Sequence, residues 1–485
     1  MGTRHEWRDC KAWADQGLPL GTVSNEAAKL YDACITQLVG WFDDPIVGGI
    51  VTSMEKMVSA DPEFGNTVQI IINLLKVYFK SVFIHSKVLG RVFNFGLRLM
   101  GTLESISSSQ SMRTEYEALE ALMDSRKGSL SSRELLHIEA VLLWARGKVS
   151  LAVRLWEEIL LDFPTDIHAL KLANISYLYL GQPDQLRDAN ARVLPAWEAQ
   201  RPPLTSFVYG LYSYGLEETN EYRKAELYAR KALAERPSDG WATHTIAHVF
   251  DMEGRITEGL QFMNSTVQEW EKSNHVACHN HWHVALYHVE NEDYDSAGLV
   301  LEEKVLPMAK ANGTMLDILD TTSLIYRLNI LNPSSVKSFH WEEAFGLSKS
   351  HSKSHVSTFN DVHFMMAFAG SKSSSGVVEE MLESVPISGG ELVDHATLTK
   401  PLLQAIVDFR DEKYADVVGV LEPLRYRLIQ IGGSHAQRDV FNLMLIVAAL
   451  KSNSSKHKGL ARALIHEREA TKATPLTRKF KNMVI

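Results

Sequence analysis

The chain has 485 residues, enough for two or three ordinary domains or one extended solenoid, and its 45% hydrophobic and 22% charged content allows a buried core. A net charge of -9 and a pI near 6.1 exclude general nucleic-acid binding, which needs a basic face. Three widely spaced cysteines, Cys10, Cys34 and Cys278, exclude a disulfide framework and suggest a reducing compartment.

Residues 1–15 are polar and mixed in charge, without the pattern of a secretory signal. Gly2 lacks the acylation pattern because Glu6 stands where Ser or Thr is wanted. Residues 68–84 read VQIIINLLKVYFKSVFI, short for a span and interrupted by Lys76 and Lys80, so a buried or interfacial helix is expected there. The expectation is a cytoplasmic protein with no membrane association.

Internal repetition is the informative signal. Gly147, Val149, Ala152, Trp156, Ile159, Leu160 and Pro164 recur at the same offsets as Asn220, Tyr222, Ala225, Ala229, Ala232, Leu233 and Pro237. An earlier copy runs Pro45, Val47, Ile50, Met54, Met57, Val58, Pro62, and weaker ones start at Glu292 and Glu412. The turns at Gly147, Gly181, Asn220, Gly254 and Glu292 are separated by 34, 39, 34 and 38 residues. A helix pair with short turns takes about 34 residues in tetratricopeptide arrays. Glycine or asparagine permits the left-handed backbone that ends a helix, alanine lets helices approach, and proline stops the second helix of each pair. The predicted fold is all-α, a right-handed α-α superhelix of tetratricopeptide-like helical solenoid type. Serine-rich breaks at 371–376 and 452–455 and a looser zone at 332–338 divide it. Residues 1–130 read as an N-terminal helical region with one degenerate repeat, 131–331 as the central array, and 332–485 as a C-terminal helical region with degenerate repeats.

Several strings together resemble the tetratricopeptide repeat protein 38 family over nearly the whole chain. They are Arg8-Asp9-Cys10-x-Ala12-Trp13, Ser24-Asn25-Glu26-Ala27, His244-Thr245-x-Ala247-His248, Cys278-His279-Asn280-x-Trp282-His283, Asn360-Asp361-x-His363-Phe364 and Gly432-Gly433-Ser434-x-Ala436-Gln437-Arg438-Asp439-Val440-Phe441. The resemblance implies a helical-repeat fold and a binding habit, with no reaction attached. Residues of about 65–95 depart from it as an atypical insertion of roughly one repeat, read as an insertion or gene-model error and not an added functional element.

Trp241, His244, His248 and Asp251 follow one another at three, four and three, so they share one helix face. Tetratricopeptide first helices resemble one another in lining the concave wall with their second, fifth, ninth and twelfth residues, where these four fall. The preceding repeat places Phe207, Gly210, Tyr214 and Glu217 there, and the following one His279 and Trp282. The candidate ligand-binding residues are therefore Phe207, Tyr214, Trp241, His244, His248, Asp251, His279 and Trp282, lining a groove for a protein or peptide partner or a small polar ligand. The competing reading is that tryptophan and histidine at this spacing are packing groups. His281 and His283 fall off the groove-facing places and read as structural.

No phosphate-cradling loop, G-x-S-x-G elbow, H-E-x-x-H or paired C-x-x-C occurs, so catalytic residues stay unassigned and no cofactor is predicted. The alternative is an enzyme using the histidines as metal ligands or general acid and base. His244 with His248, or His279 with His283, are i, i+4 pairs able to hold a divalent ion with Asp251 as a third ligand. Farther on, Asp361 is expected to cap a helix near Val362, and Ser434 with Gln437 to form a capping box after a stop at Gly432 and Gly433. Arg438 and Asp439 are expected to form an internal ion pair, with Arg425 and Arg427 a lesser anion site.

Overall fold

The computed structural model describes residues 6–60, 88–126, 128–386, 390–393 and 395–484. Among them there is no strand. The helices begin with α1 (Cys10–Asp15), α2 (Asn25–Gly40), α3 (Gly49–Ser59), α4 (Val88–Gly101) and α5 (Gln110–Arg126). Hairpins follow: α6 (Ser132–Ala145) with α7 (Val149–Asp162), α8 (Ile167–Tyr179) with α9 (Pro183–Gln200), α10 (Thr205–Glu218) with α11 (Tyr222–Glu235), and α12 (Gly240–Met252) with α13 (Ile256–Trp270). Then come α14 (Asn274–Glu290) with α15 (Tyr294–Val300), α16 (Leu306–Asn312), α17 (Met315–Leu331), α18 (Ser338–Ser348), α19 (Thr358–Gly370) and α20 (Val377–Ser384). The chain closes with α21 (Lys400–Arg410), α22 (Tyr414–Leu424), α23 (His435–Lys451), α24 (Ser455–Thr471) and α25 (Pro475–Asn482).

The turns obey the expected chemistry. Gly147, Gly181 and Gly254 have φ of 76°, 64° and 68°, and Asn220, Glu292 and Glu412 adopt the same left-handed geometry at 64°, 60° and 59°. Helices α7 and α11 end just before Pro164 and Pro237. Ala152, Ala225, Ala229 and Ala232 are fully covered, as close helix packing requires. Asp166 and Asp239 cap α8 and α12 by accepting backbone N–H groups, and Ser131 with Glu134 makes a capping box on α6.

What the periodicity does not foretell is the filling of the interior. The first helices α10 and α12 are buried almost all round, because α2 and the C-terminal helices fold across the face they turn inward. Trp41, just after α2, stacks on Trp241 at 5.4 Å. Arg327 on α17 donates to the Ala436 and Gln437 carbonyls of α23 at 2.6 and 3.0 Å. Lys472, just past α24, pairs with Asp251 at 2.8 Å. All eight expected groove residues are at most 7% exposed, so the wall expected to line an open groove is enclosed. Among the described residues the two large apolar cores, one running from Trp13 to Tyr287 and taking in Leu392 and the other from Cys278 to Phe480, meet along α14.

Elsewhere the capping box at Ser434 and Gln437 forms, after Gly432 and Gly433 at φ of 81° and 74°. The cap of α19 is Ser357, not Asp361, which instead accepts from His355 Nδ1 at 2.8 Å. Arg438 and Asp439 do not pair with each other. As neighbours on a helix they point apart, Arg438 to Glu218 and Asp439 to Arg468. Arg425 is engaged by Glu467. Among the described residues no helix is long and apolar enough to cross a membrane, while residues 68–84 and most of the 65–95 insertion lie outside them.

Candidate metal centre

Helices α12 and α14 are successive first helices, so their i, i+4 histidine pairs face each other across one layer of the stack. His244 and His248 from α12 and His279 and His283 from α14 converge, with one ligand atom from each lying within 4.8 Å of the others. Ring centroids are 4.3 Å apart for His244 and His248, 4.5 Å for His248 and His283, and 4.7 Å for His244 and His279. His283, expected to be structural, belongs to this cluster. The register rule places residues by an open concave wall, whereas here the neighbouring helix encloses the adjacent face of α14 as well.

The surroundings orient some rings and leave others unsatisfied. Asp320 Oδ2 on α17 lies 2.6 Å from His279 Nδ1, which fixes the proton there and turns the Nε2 lone pair toward His244 Nε2, 2.9 Å away. Nitrogen ligands at about 2.0–2.1 Å from one tetrahedral ion stand roughly 3.3 Å from each other, so a slight opening of this hydrogen-bonded pair would admit a shared ion. Glu217 Oε2 on α10 stands 3.4 Å from His248 Nδ1. His244 Nδ1 and both nitrogens of His248 and of His283 are buried without a hydrogen-bond partner. Each such group costs about 1–3 kcal/mol when left dry and unpaired.

Electrostatics keeps three of the rings neutral. Burial, then the neighbouring imidazoles, push His244 and His283 well below the usual histidine range, and burial takes His248 down to about 4. Neutral imidazole is the form that offers a lone pair to a metal. Aromatic rings wall the cluster. Trp282 stacks on His279 at 5.1 Å, Trp241 lies 4.7 Å from His244, and Tyr214 sits 5.7 Å from His248.

Two expected site residues stand apart. Phe207 packs beneath the Arg236 guanidinium, 4.8 Å from its ring, and Asp251 is drawn to Lys472, so neither contributes to the imidazole cluster. His281, as expected, is structural and reaches Glu271 at 3.2 Å. Lys171, Trp41, Glu218, Asp320 and His435 escaped the sequence reading. Lys171 Nζ is fully buried, lies 5.0 and 4.9 Å from the Trp41 and Trp241 ring centres, and has no hydrogen-bond partner. Burial pushes its ammonium down to about 7. No sequence period links any of these five to α12, since they arrive from α8, the ends of α2 and α10, α17 and α23. No family model matches the chain.

Proposed function

We propose that the chain is a helical-repeat metalloprotein in which His244, His248, His279 and His283 hold one divalent transition-metal ion. The single observation that carries this reading is the convergence of four enclosed imidazoles, two of which lack any hydrogen-bond partner on either nitrogen. Core histidines retained for packing find partners for their nitrogens. Imidazole donors suit zinc, copper, nickel or iron, and four protein ligands leave the ion closed off, as in a structural or redox site. The frame is read as a right-handed tetratricopeptide-like solenoid of the tetratricopeptide repeat protein 38 kind. Enclosure of its inner wall weighs against a peptide lying in a groove. No reaction is assigned to the four-histidine ion.

The test is metal analysis of untagged full-length protein, followed by cobalt(II) titration of chelator-stripped protein. Cobalt bound by nitrogen ligands in a tetrahedral set gives visible d–d absorption. His248→Ala and His283→Ala are expected to lose that absorption while keeping wild-type helical circular dichroism. A wild-type chain that binds no cobalt or zinc, or folded variants that bind it unchanged, would overturn the reading.

A further inference from the structure

The carboxylate end of α10 points at the first turn of α23. Glu217, Glu218 and His435 offer one ligand atom each within 4.8 Å of one another. We propose that these three residues form a second cation site, joined to the four-histidine centre through Glu217, so that the chain holds two ions. The proposal rests on the metal reading of the four histidines.

Glu217 stands between the two clusters. Its side chain has 0% exposure, and neither carboxylate oxygen accepts a hydrogen bond. Oxygen Oε2 faces His248 Nδ1 at 3.4 Å and Oε1 faces His435 Nδ1 at 4.0 Å, one toward each cluster. His435 Nε2 stands 3.9 Å from Glu218 Oε2. Glu218 is better provided for: it accepts the His435 backbone N–H at 2.9 Å and faces the Arg438 guanidinium at 3.3 Å. That leaves two adjoining buried carboxyl groups served by one cation, Arg438, which also donates to the Gly432 and Gly433 carbonyls. A divalent ion between the two carboxylates would neutralise both and give Glu217 the partner its oxygens lack.

The second site differs from the first in access. Glu218 and Arg438 also line a small cleft with Tyr177, Gln182, Ile429 and Gly433, where the turn after α8 meets the segment before α23. His435 itself is 20% exposed along its side chain. Three protein ligands and a solvent-facing side leave a coordination position for water or an oxygen ligand, the arrangement of reactive and not of structural ions. Two carboxylates with one imidazole suit zinc, manganese or iron.

The experiment is isothermal titration of chelator-stripped full-length protein with zinc(II) and with manganese(II), with bound metal counted after gel filtration. Circular dichroism and melting temperature check the fold of each variant. The expected result is about two zinc ions per wild-type chain. Glu217→Gln and His435→Ala should each bind one ion fewer, and His283→Ala should lose the other while keeping the manganese-binding site. One ion in the wild type, unchanged in His435→Ala and absent in His283→Ala, would overturn the second site and leave the four-histidine reading standing. One ion lost in His435→Ala but kept in His283→Ala would support the Glu217 site and sink the four-histidine reading. No ion in the folded wild type would overturn both.

Discussion

Lys171 allows a test with a sign that runs against ordinary expectation for a buried side chain. Its ammonium is enclosed between Trp41 and Trp241 and has no hydrogen-bond partner, and burial, only partly offset by the charge of Asp239, lowers its titration from 10.5 to about 7. At about 1.4 kcal/mol per pH unit, that gap means a protonated Lys171 destabilises the folded chain by about 5 kcal/mol relative to a lysine in water. Lys171→Met keeps the stem and fills the slot with a thioether suited to aromatic walls. It is therefore expected to raise stability by about 4 kcal/mol at pH 7, where the folded lysine is half protonated. The sign follows from linkage. The unfolded chain holds this proton up to 10.5 and the folded chain releases it near 7, so wild-type stability rises with pH between those values while the variant lacks that rise. Urea midpoints and melting temperatures of both proteins at pH 7, 8.5 and 10 provide the comparison. The advantage of the variant should shrink to under about 1 kcal/mol by pH 10. A variant less stable than wild type at pH 7, or a difference that does not change with pH, would refute the account.

Three further outcomes test the packing of the array. Arg468→Met removes the cation shared by Glu290 and Asp439 in a buried network with Lys472 and should cost about 3–5 kcal/mol, read as a lowered urea midpoint. Gly181→Ala would place a Cβ 1.8 Å from the Ile429 carbonyl at a residue with φ of 64°, so it should cost more than about 2 kcal/mol and raise amide exchange in 428–433. Glu412→Gly relieves an exposed left-handed turn residue and should raise the melting temperature slightly, by about 0.5–1 kcal/mol of stability.

The helical hairpins were legible because each depends on a local requirement. A left-handed residue must stand at the turn, small residues must stand where helices cross, and a stop must follow. Even Glu292 and Glu412, poor residues for the left-handed region, occupied the turn positions that spacing demanded. Trp241, His244 and His248 were placed on one face for the same reason, since three and four residues make one turn. What spacing could not convey was closure. Arg327 meets the Ala436 carbonyl across 109 residues, and His435 meets Glu218 across 217. Contacts of that span leave no period in the chain. The enclosure they create changed the meaning of the same side chains, from a partly wet wall into a buried imidazole cluster. His283 was set aside by a rule that assumes an open groove. Had the two i, i+4 pairs on successive first helices been treated as one constellation, the four-histidine arrangement would have been readable. Asp320 and His435 offered no such signal.

Stability and metal occupancy are linked in this fold. The four rings lie where two apolar cores meet, on α12 and α14, and burial with mutual proximity keeps His244, His248 and His283 from protonating. Without a metal the site carries five imidazole nitrogens that have no hydrogen-bond partner, so it should be a weak seam in the stack. An ion that binds the folded chain alone stabilises it by about 4 kcal/mol when its free concentration is a thousandfold above Kd. Since each kcal/mol moves a cooperative unit of 150–250 residues by about 2–4 °C, zinc-loaded protein should melt roughly 10 °C above chelator-stripped protein. The protection should concentrate in the amides of α12 and α14, and His283→Ala should lose the part of the zinc-dependent shift that the four-histidine ion supplies, keeping only what the Glu217 site contributes. Equal melting of loaded and stripped wild type at saturating zinc would mean the imidazoles gain nothing from an ion. The orphan nitrogens would then be a packing defect that the rest of the array tolerates.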